Sequence, residues 1–166
     1  MLTAASPSVV TTVSLPQGIA IDPTGRYAYV AGGGLGNIAQ YAIGPSGQLS
    51  ALSPANVAAD SGPTAVAIDP TGRYVYVANQ SGVIDQYTIG ANGTLTPMST
   101  PSVTAGDDPQ AIGIDPAGQY VYIANEGDYT VTVFPIASGG ALNATSPAVV
   151  TVGSGQSGPV SVATAY

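Results

Sequence analysis

The 166-residue chain has no cysteine, no histidine, no tryptophan and no lysine, and its only basic side chains are Arg26 and Arg73. Each absence removes a class of protein. Without cysteine there is no disulfide framework, and without Cys or His there is no zinc-type ligand set. Ser-His-Asp and Cys-His catalysis need a histidine and are excluded. Nucleic-acid binding through a basic face is excluded too, because two cations cannot neutralise a row of phosphates. Nine acids against two cations leave a formal net charge of −7. Apolar runs extend only a handful of residues, short of the roughly 20 that a membrane-spanning helix needs. The start, Met1-Leu2-Thr3-Ala4-Ala5-Ser6, has neither a basic nor an apolar signal region, so no signal peptide is expected in this chain. A composition rich in Ala, Thr, Ser and Gly, without Lys or Cys, is that of secreted bacterial proteins. The expected setting is extracellular or the cell surface.

What is present is a repeat. Ile21-Asp22-Pro23-Thr24-Gly25-Arg26-Tyr27-Ala28-Tyr29-Val30-Ala31 returns as Ile68-Asp69-Pro70-Thr71-Gly72-Arg73-Tyr74-Val75-Tyr76-Val77-Ala78. It returns again as Ile114-Asp115-Pro116-Ala117-Gly118-Gln119-Tyr120-Val121-Tyr122-Ile123-Ala124. Tyr41, Tyr87 and Phe134 keep the same period, as do Ser6-Pro7, Ser53-Pro54, Thr100-Pro101 and Ser146-Pro147. A period in the forties with strand-type composition predicts propeller blades of four strands each.

Each repeat divides into strands a to d, numbered outward from the propeller axis. In the second repeat these are Ala65–Ile68, Tyr74–Ala78, Val83–Ile89 and a weaker fourth strand after Pro101. Between a and b lies Asp-Pro-x-Gly, in which proline presets φ, glycine supplies the permissive position and the carboxylate caps backbone N–H groups. Asp22, Asp69 and Asp115, with Gly25, Gly72 and Gly118, are therefore assigned to turn structure. The strand-b tyrosines are assigned to packing between neighbouring sheets. The fold class is all-β: a partial β-propeller of three four-stranded blades plus an extra strand at each end. One domain, 1–166, is expected, with repeats at about 15–61, 62–107 and 108–157. The d-like and a-like extra strands fall at 7–13 and 160–163.

At Tyr29-Val30-Ala31-Gly32, Tyr76-Val77-Ala78-Asn79 and Tyr122-Ile123-Ala124-Asn125 the chain resembles the lactonase-type, phosphogluconolactonase-like propellers and the surface-protein propellers with YVTN repeats. The resemblance covers nearly the whole chain and implies about half of a seven-bladed ring. It also implies sugar-lactone hydrolysis. A phosphosugar lactone, however, calls for cationic recognition and a base or metal-bound water. The two arginines occupy one matching turn position, which points to local pairing, and no catalytic residue is assigned.

One charge constellation stands out. The d–a and b–c loops share a face, so Asp107, Asp108, Glu126 and Asp128 are predicted to gather there, as a solvated acidic rim or as candidate Ca²⁺ ligands. No Asp-x-Asp-x-Asp loop is present, so no metal and no cofactor is assigned. Asp85 replaces Ala39 and Thr132 in strand c and marks an unusual environment. Gly32-Gly33-Gly34 reads as a b–c loop. No helix follows it, so it is not a phosphate loop. The function expected from the residues is a structural or interaction module whose partner is itself, assembling as a ring or filament outside the cell. The alternative is a fragment of a lactonase-like or carbohydrate-binding propeller enzyme.

Overall fold

The computed structural model describes residues 10–145, 147–153 and 158–163. They form three four-stranded antiparallel sheets, each built from consecutive strands. Blade 1 comprises β1 (Pro16–Ile21), β2 (Tyr27–Gly32), β3 (Asn37–Ile43) and β4 (Leu49–Ala58). Blade 2 comprises β5 (Pro63–Ile68), β6 (Tyr74–Asn79), β7 (Val83–Ile89) and β8 (Leu95–Thr104). Blade 3 comprises β9 (Pro109–Ile114), β10 (Tyr120–Asn125), β11 (Thr130–Pro135) and β12 (Ala148–Thr151). This is a partial all-β propeller.

The alternation of the strand sequences dictates the packing. In β6, Tyr76 and Ala78 turn towards blade 3 and pack with Val121, Ile123 and Phe134. Val75 and Val77 turn the other way and pack with Tyr29, Ala31 and Ile38 of blade 1. A middle strand is thus buried on both sides, and the core lies between the sheets rather than inside any one of them. The inner strands are made of small residues because they approach closely. A Cβ added at Gly18 of β1 would lie 3.0 Å from the Ala65 Cα of β5.

Two expectations are corrected. The fourth strand of blade 2 does not begin after Pro101. It starts at Leu95, where Leu95 pairs with Ile89 before the ladder is interrupted between Asp85 and Tyr87. The extra strand at 7–13 lies partly outside the described residues, and its described part, 10–13, forms no strand. Nor does 160–163. Both segments still run along the neighbouring-blade positions. Tyr41 donates its hydroxyl to the Thr11 carbonyl at 3.0 Å, as Tyr87 one repeat later does to Ala58 at 2.6 Å. The segments follow the path without the backbone pairing because the middle strands of a further blade, which would hydrogen-bond to them, are not among the described residues.

Candidate functional site

The a–b turns are built alike. Asp69 Oδ1 accepts the N–H groups of Arg73 and Tyr74, both at 2.7 Å, while its Oδ2 accepts the Thr71 N–H and hydroxyl. Asp22 does the same with Arg26, Tyr27 and Thr24. Asp115 keeps the contacts to Gln119 and Tyr120, at 2.7 and 2.6 Å. Ala117 stands where the other turns have threonine, so the hydroxyl contact is lost. Gly25, Gly72 and Gly118 sit at φ of 71°, 68° and 65°, the left-handed region that a side chain resists. Burial pushes the Asp22 carboxyl up. The hydrogen bonds from the Thr24 hydroxyl and from the N–H groups of Tyr27, Thr24 and Arg26 outweigh it and hold the carboxyl below its usual pKa. Arg26 and Arg73 lie over the rings of Tyr27 and Tyr74, 5.2 and 5.1 Å from their centroids, and donate to Thr24 and Thr71. Both cations are engaged locally.

On the opposite loop face, the d–a and b–c loops of blade 3 are stitched together. Glu126 and Gly127 donate their N–H groups to the carbonyls of Asp108 and Asp107 at 3.0 and 3.1 Å. Asp128 accepts the Asp107 N–H at 3.2 Å, and Asp108 accepts the Gln110 side chain at 2.8 Å. The d–a and b–c loops carry all four acids, and two of the carboxylates, Asp108 and Asp128, are engaged in loop contacts. Among the described residues, no three His, Cys, Asp or Glu side chains are grouped to hold a metal ion. The Gly32-Gly33-Gly34 run closes on residues 14 and 15 through the N–H groups of Gly33 and Gly34.

Asp85 is buried in blade 2. Its Oδ2 accepts the Asp60 N–H at 2.8 Å and the Asn79 amide at 3.1 Å, with the Tyr87 hydroxyl at 3.5 Å. Burial raises its pKa, and these hydrogen bonds only partly offset that. The sequence flagged Asp85 but not Gln40 and Gln86, both fully buried. Gln86 donates to the Thr100 carbonyl of its own blade at 3.0 Å and accepts the Leu142 N–H of blade 3 at 2.6 Å. Gln40 makes the same pair with Pro54 and Leu95. The available signal was a glutamine recurring one repeat apart.

The inner strands converge on a cleft of about 210 Å³. Ala20, Ala67, Ile68, Ile112, Ile114 and Val162 are among its walls, and no ionisable side chain lines it among the described residues. Such an axis can shape a ligand pocket, but it supplies neither a proton donor nor a cation.

Three consecutive blades around a shared axis, locked by Asp-Pro turns, define an incomplete β-propeller. The family described as lactonase, 7-bladed beta-propeller, matches residues 2–99 and 80–161. The chain belongs to that family. A search of curated proteins found no match. Among solved structures it is similar to a candidate 6-phosphogluconolactonase from Bacteroides fragilis, at 24% identity and a TM-score of 0.75, covering 85% of this chain and 41% of that one. It is also similar to the periplasmic gluconolactonase of Pseudomonas aeruginosa, at 20% identity and a TM-score of 0.67, covering 80% of this chain and 40% of that one. The chain thus spans about two fifths of the length of these relatives.

Proposed function

We propose that the chain is a three-blade section of a lactonase-type propeller, forming one wall of a central site for a sugar lactone or related carbohydrate. The observation that carries this reading is the convergence of β1, β5 and β9 on the axial cleft in a chain of that family. The wall is made of aliphatic side chains and backbone polar groups, with no ionisable side chain among the described residues, so these blades position a ligand and further blades bring the reacting groups. The isolated chain is therefore expected to hydrolyse D-gluconolactone no faster than water does, measured by pH-stat. Titration with the lactone is expected to perturb the NMR signals of Ile68, Ile112 and Ile114. Turnover by the isolated chain would overturn the positioning role, and perturbations confined to other residues would overturn the location.

A second reading is a self-associating interaction module outside the cell, and it draws on the exposure of Ile19 and Ile21 on blade 1 and of Val150 on blade 3.

A further inference from the structure

The c–d turn of blade 2 is Gly90-Ala91-Asn92-Gly93. It is closed by the Gly93 N–H on the Gly90 carbonyl and the Gly90 N–H on the Thr94 carbonyl, both at 2.9 Å. Ser46 and Gly139 stand at the matching place in the turns of blades 1 and 3, and Asn92-Gly93 is the only Asn-Gly pair in the chain. The Asn92 side chain is exposed, and its Oδ1 accepts the Thr94 N–H at 3.3 Å and the Thr94 hydroxyl at 2.8 Å. These contacts lay the amide along the chain towards the glycine. Gly93 is buried and has a φ of 83°. Its carbonyl accepts the Tyr29 hydroxyl of blade 1 at 2.7 Å, and a Cβ on it would stand 2.3 Å from the Tyr27 ring. Tyr76 makes the same joint with the Gly140 carbonyl one repeat later, at 2.6 Å. The Asn-Gly pair therefore sits in the joint between blades 1 and 2.

We propose that Asn92 is a site of spontaneous covalent modification, in which the side-chain amide is lost and the main chain isomerises, and that the product opens this joint. The Gly93 nitrogen attacks Asn92 Cγ. The new N–Cγ bond closes a cyclic imide, the bond from Cγ to Nδ2 breaks, and the Gly93 proton leaves with Nδ2 as ammonia. Water then adds to one of the two imide carbonyls. Opening on one side gives an ordinary aspartyl residue. Opening on the other gives an isoaspartyl link, in which the main chain runs through Cβ and Cγ. Glycine permits the attack because it has no Cβ to obstruct it. The two Thr94 donors stabilise the charge that develops on Oδ1. The Gly93 N–H bond to Gly90 holds the nucleophile back, so the rate follows opening of the turn. The isoaspartyl link lengthens the main chain inside a closed turn. Gly93 then cannot keep both its carbonyl on the Tyr29 hydroxyl and its Cα against the Tyr27 ring.

Incubation of the purified chain in mildly alkaline buffer, followed by ion exchange and peptide mapping, tests it. A more acidic species is expected to accumulate, with aspartyl and isoaspartyl residues in place of Asn92. Asn143 is the internal reference. It is exposed and accepts the Thr145 N–H and hydroxyl at 3.1 and 2.7 Å in the same way, but it precedes Ala144 and is expected to stay intact. The isoaspartyl fraction is expected to melt below the unmodified chain. Tyr29→Phe removes the bond that holds Gly93 and is expected to speed the conversion about two- to tenfold. Asn92→Ser installs the residue type of the blade 1 turn and is expected to prevent the conversion with a melting temperature near that of the parent. Conversion at Asn92 no faster than at Asn143 overturns the site, as does an acidic species that Asn92→Ser forms equally well. An isoaspartyl fraction that melts with the parent, or a rate that Tyr29→Phe leaves unchanged, overturns the coupling to the joint.

Discussion

A carboxylate does opposite things at two places in this chain. In the a–b turns it is drawn into a ring of N–H donors. Replacing Asp69 by alanine strands those donors and is expected to cost roughly 0.5–2 kcal/mol, read from urea denaturation. Asp115→Ala is expected to cost less than Asp69→Ala, because Ala117 has already removed the hydroxyl contact. Asp22 is held below its unfolded pKa, so its contribution is present above the unfolded value and is lost as pH falls through the folded one. Asp85 runs the other way. Its folded pKa is raised, so between the unfolded and folded values the native state binds more protons than the unfolded state. Its charge therefore opposes folding at neutral pH, and its contribution improves as pH falls through the folded value. Asp85→Asn keeps an acceptor for the Asp60 N–H and removes the buried charge. It is expected to raise the melting temperature at pH 7, with a gain that shrinks on mild acidification in a calorimetric pH series.

Between neighbouring elements, the glutamines explain why the outer strands differ from what their sequences suggested. The ladder from β7 to β8 is interrupted between Asp85 and Tyr87, and Gln86 inserts its amide there to satisfy the Thr100 carbonyl and the Leu142 N–H. A bulge of this kind lets the strand run on from Leu95 through Pro97 and Pro101 without a continuous ladder. Gln86→Val, the residue type found at 133, is expected to cost about 1–3 kcal/mol because it strands two polar backbone groups. Loss of chemical-denaturation midpoint with an unchanged m-value checks this. The inner and middle strands were legible from alternating Tyr, Val and Ile bounded by Asp-Pro-x-Gly. The outer strands were not. Their Ser, Thr and Pro content reads as loop, and the side chain that holds them lies on the adjacent strand.

At the scale of the whole chain, the period alone identified the architecture, because residues that return every 46 or 47 positions are those that close turns and fill joints. The same fact hid the candidate site. A central site in a propeller is assembled between blades, and its chemistry resides in residues that break the repeat. Within the described residues the axis is walled by side chains that keep it, so nothing there announces a substrate. The expected lack of lactone turnover by the isolated chain follows from that division between repeated scaffold and non-repeated chemistry. The acidic cluster shows the same limit. Loop topology placed Asp107, Asp108, Glu126 and Asp128 on one face, but spacing did not reveal that the Asp107 N–H, the Thr130 hydroxyl and the Gln110 amide hold two of the carboxylates.

The joints have a hereditary consequence. Tyr29 donates its hydroxyl to the Gly93 carbonyl and Tyr76 to that of Gly140, Gln40 accepts the Leu95 N–H and Gln86 that of Leu142, and each of these bonds links a blade only to the one beside it. A gene segment encoding one whole repeat can therefore be duplicated or deleted while every surviving junction keeps its donors and acceptors. Blade number becomes a variable that unequal recombination can change in a single event, and the eleven-residue stretches beginning at Ile21 and Ile68 differ at a single position, Ala28 against Val75.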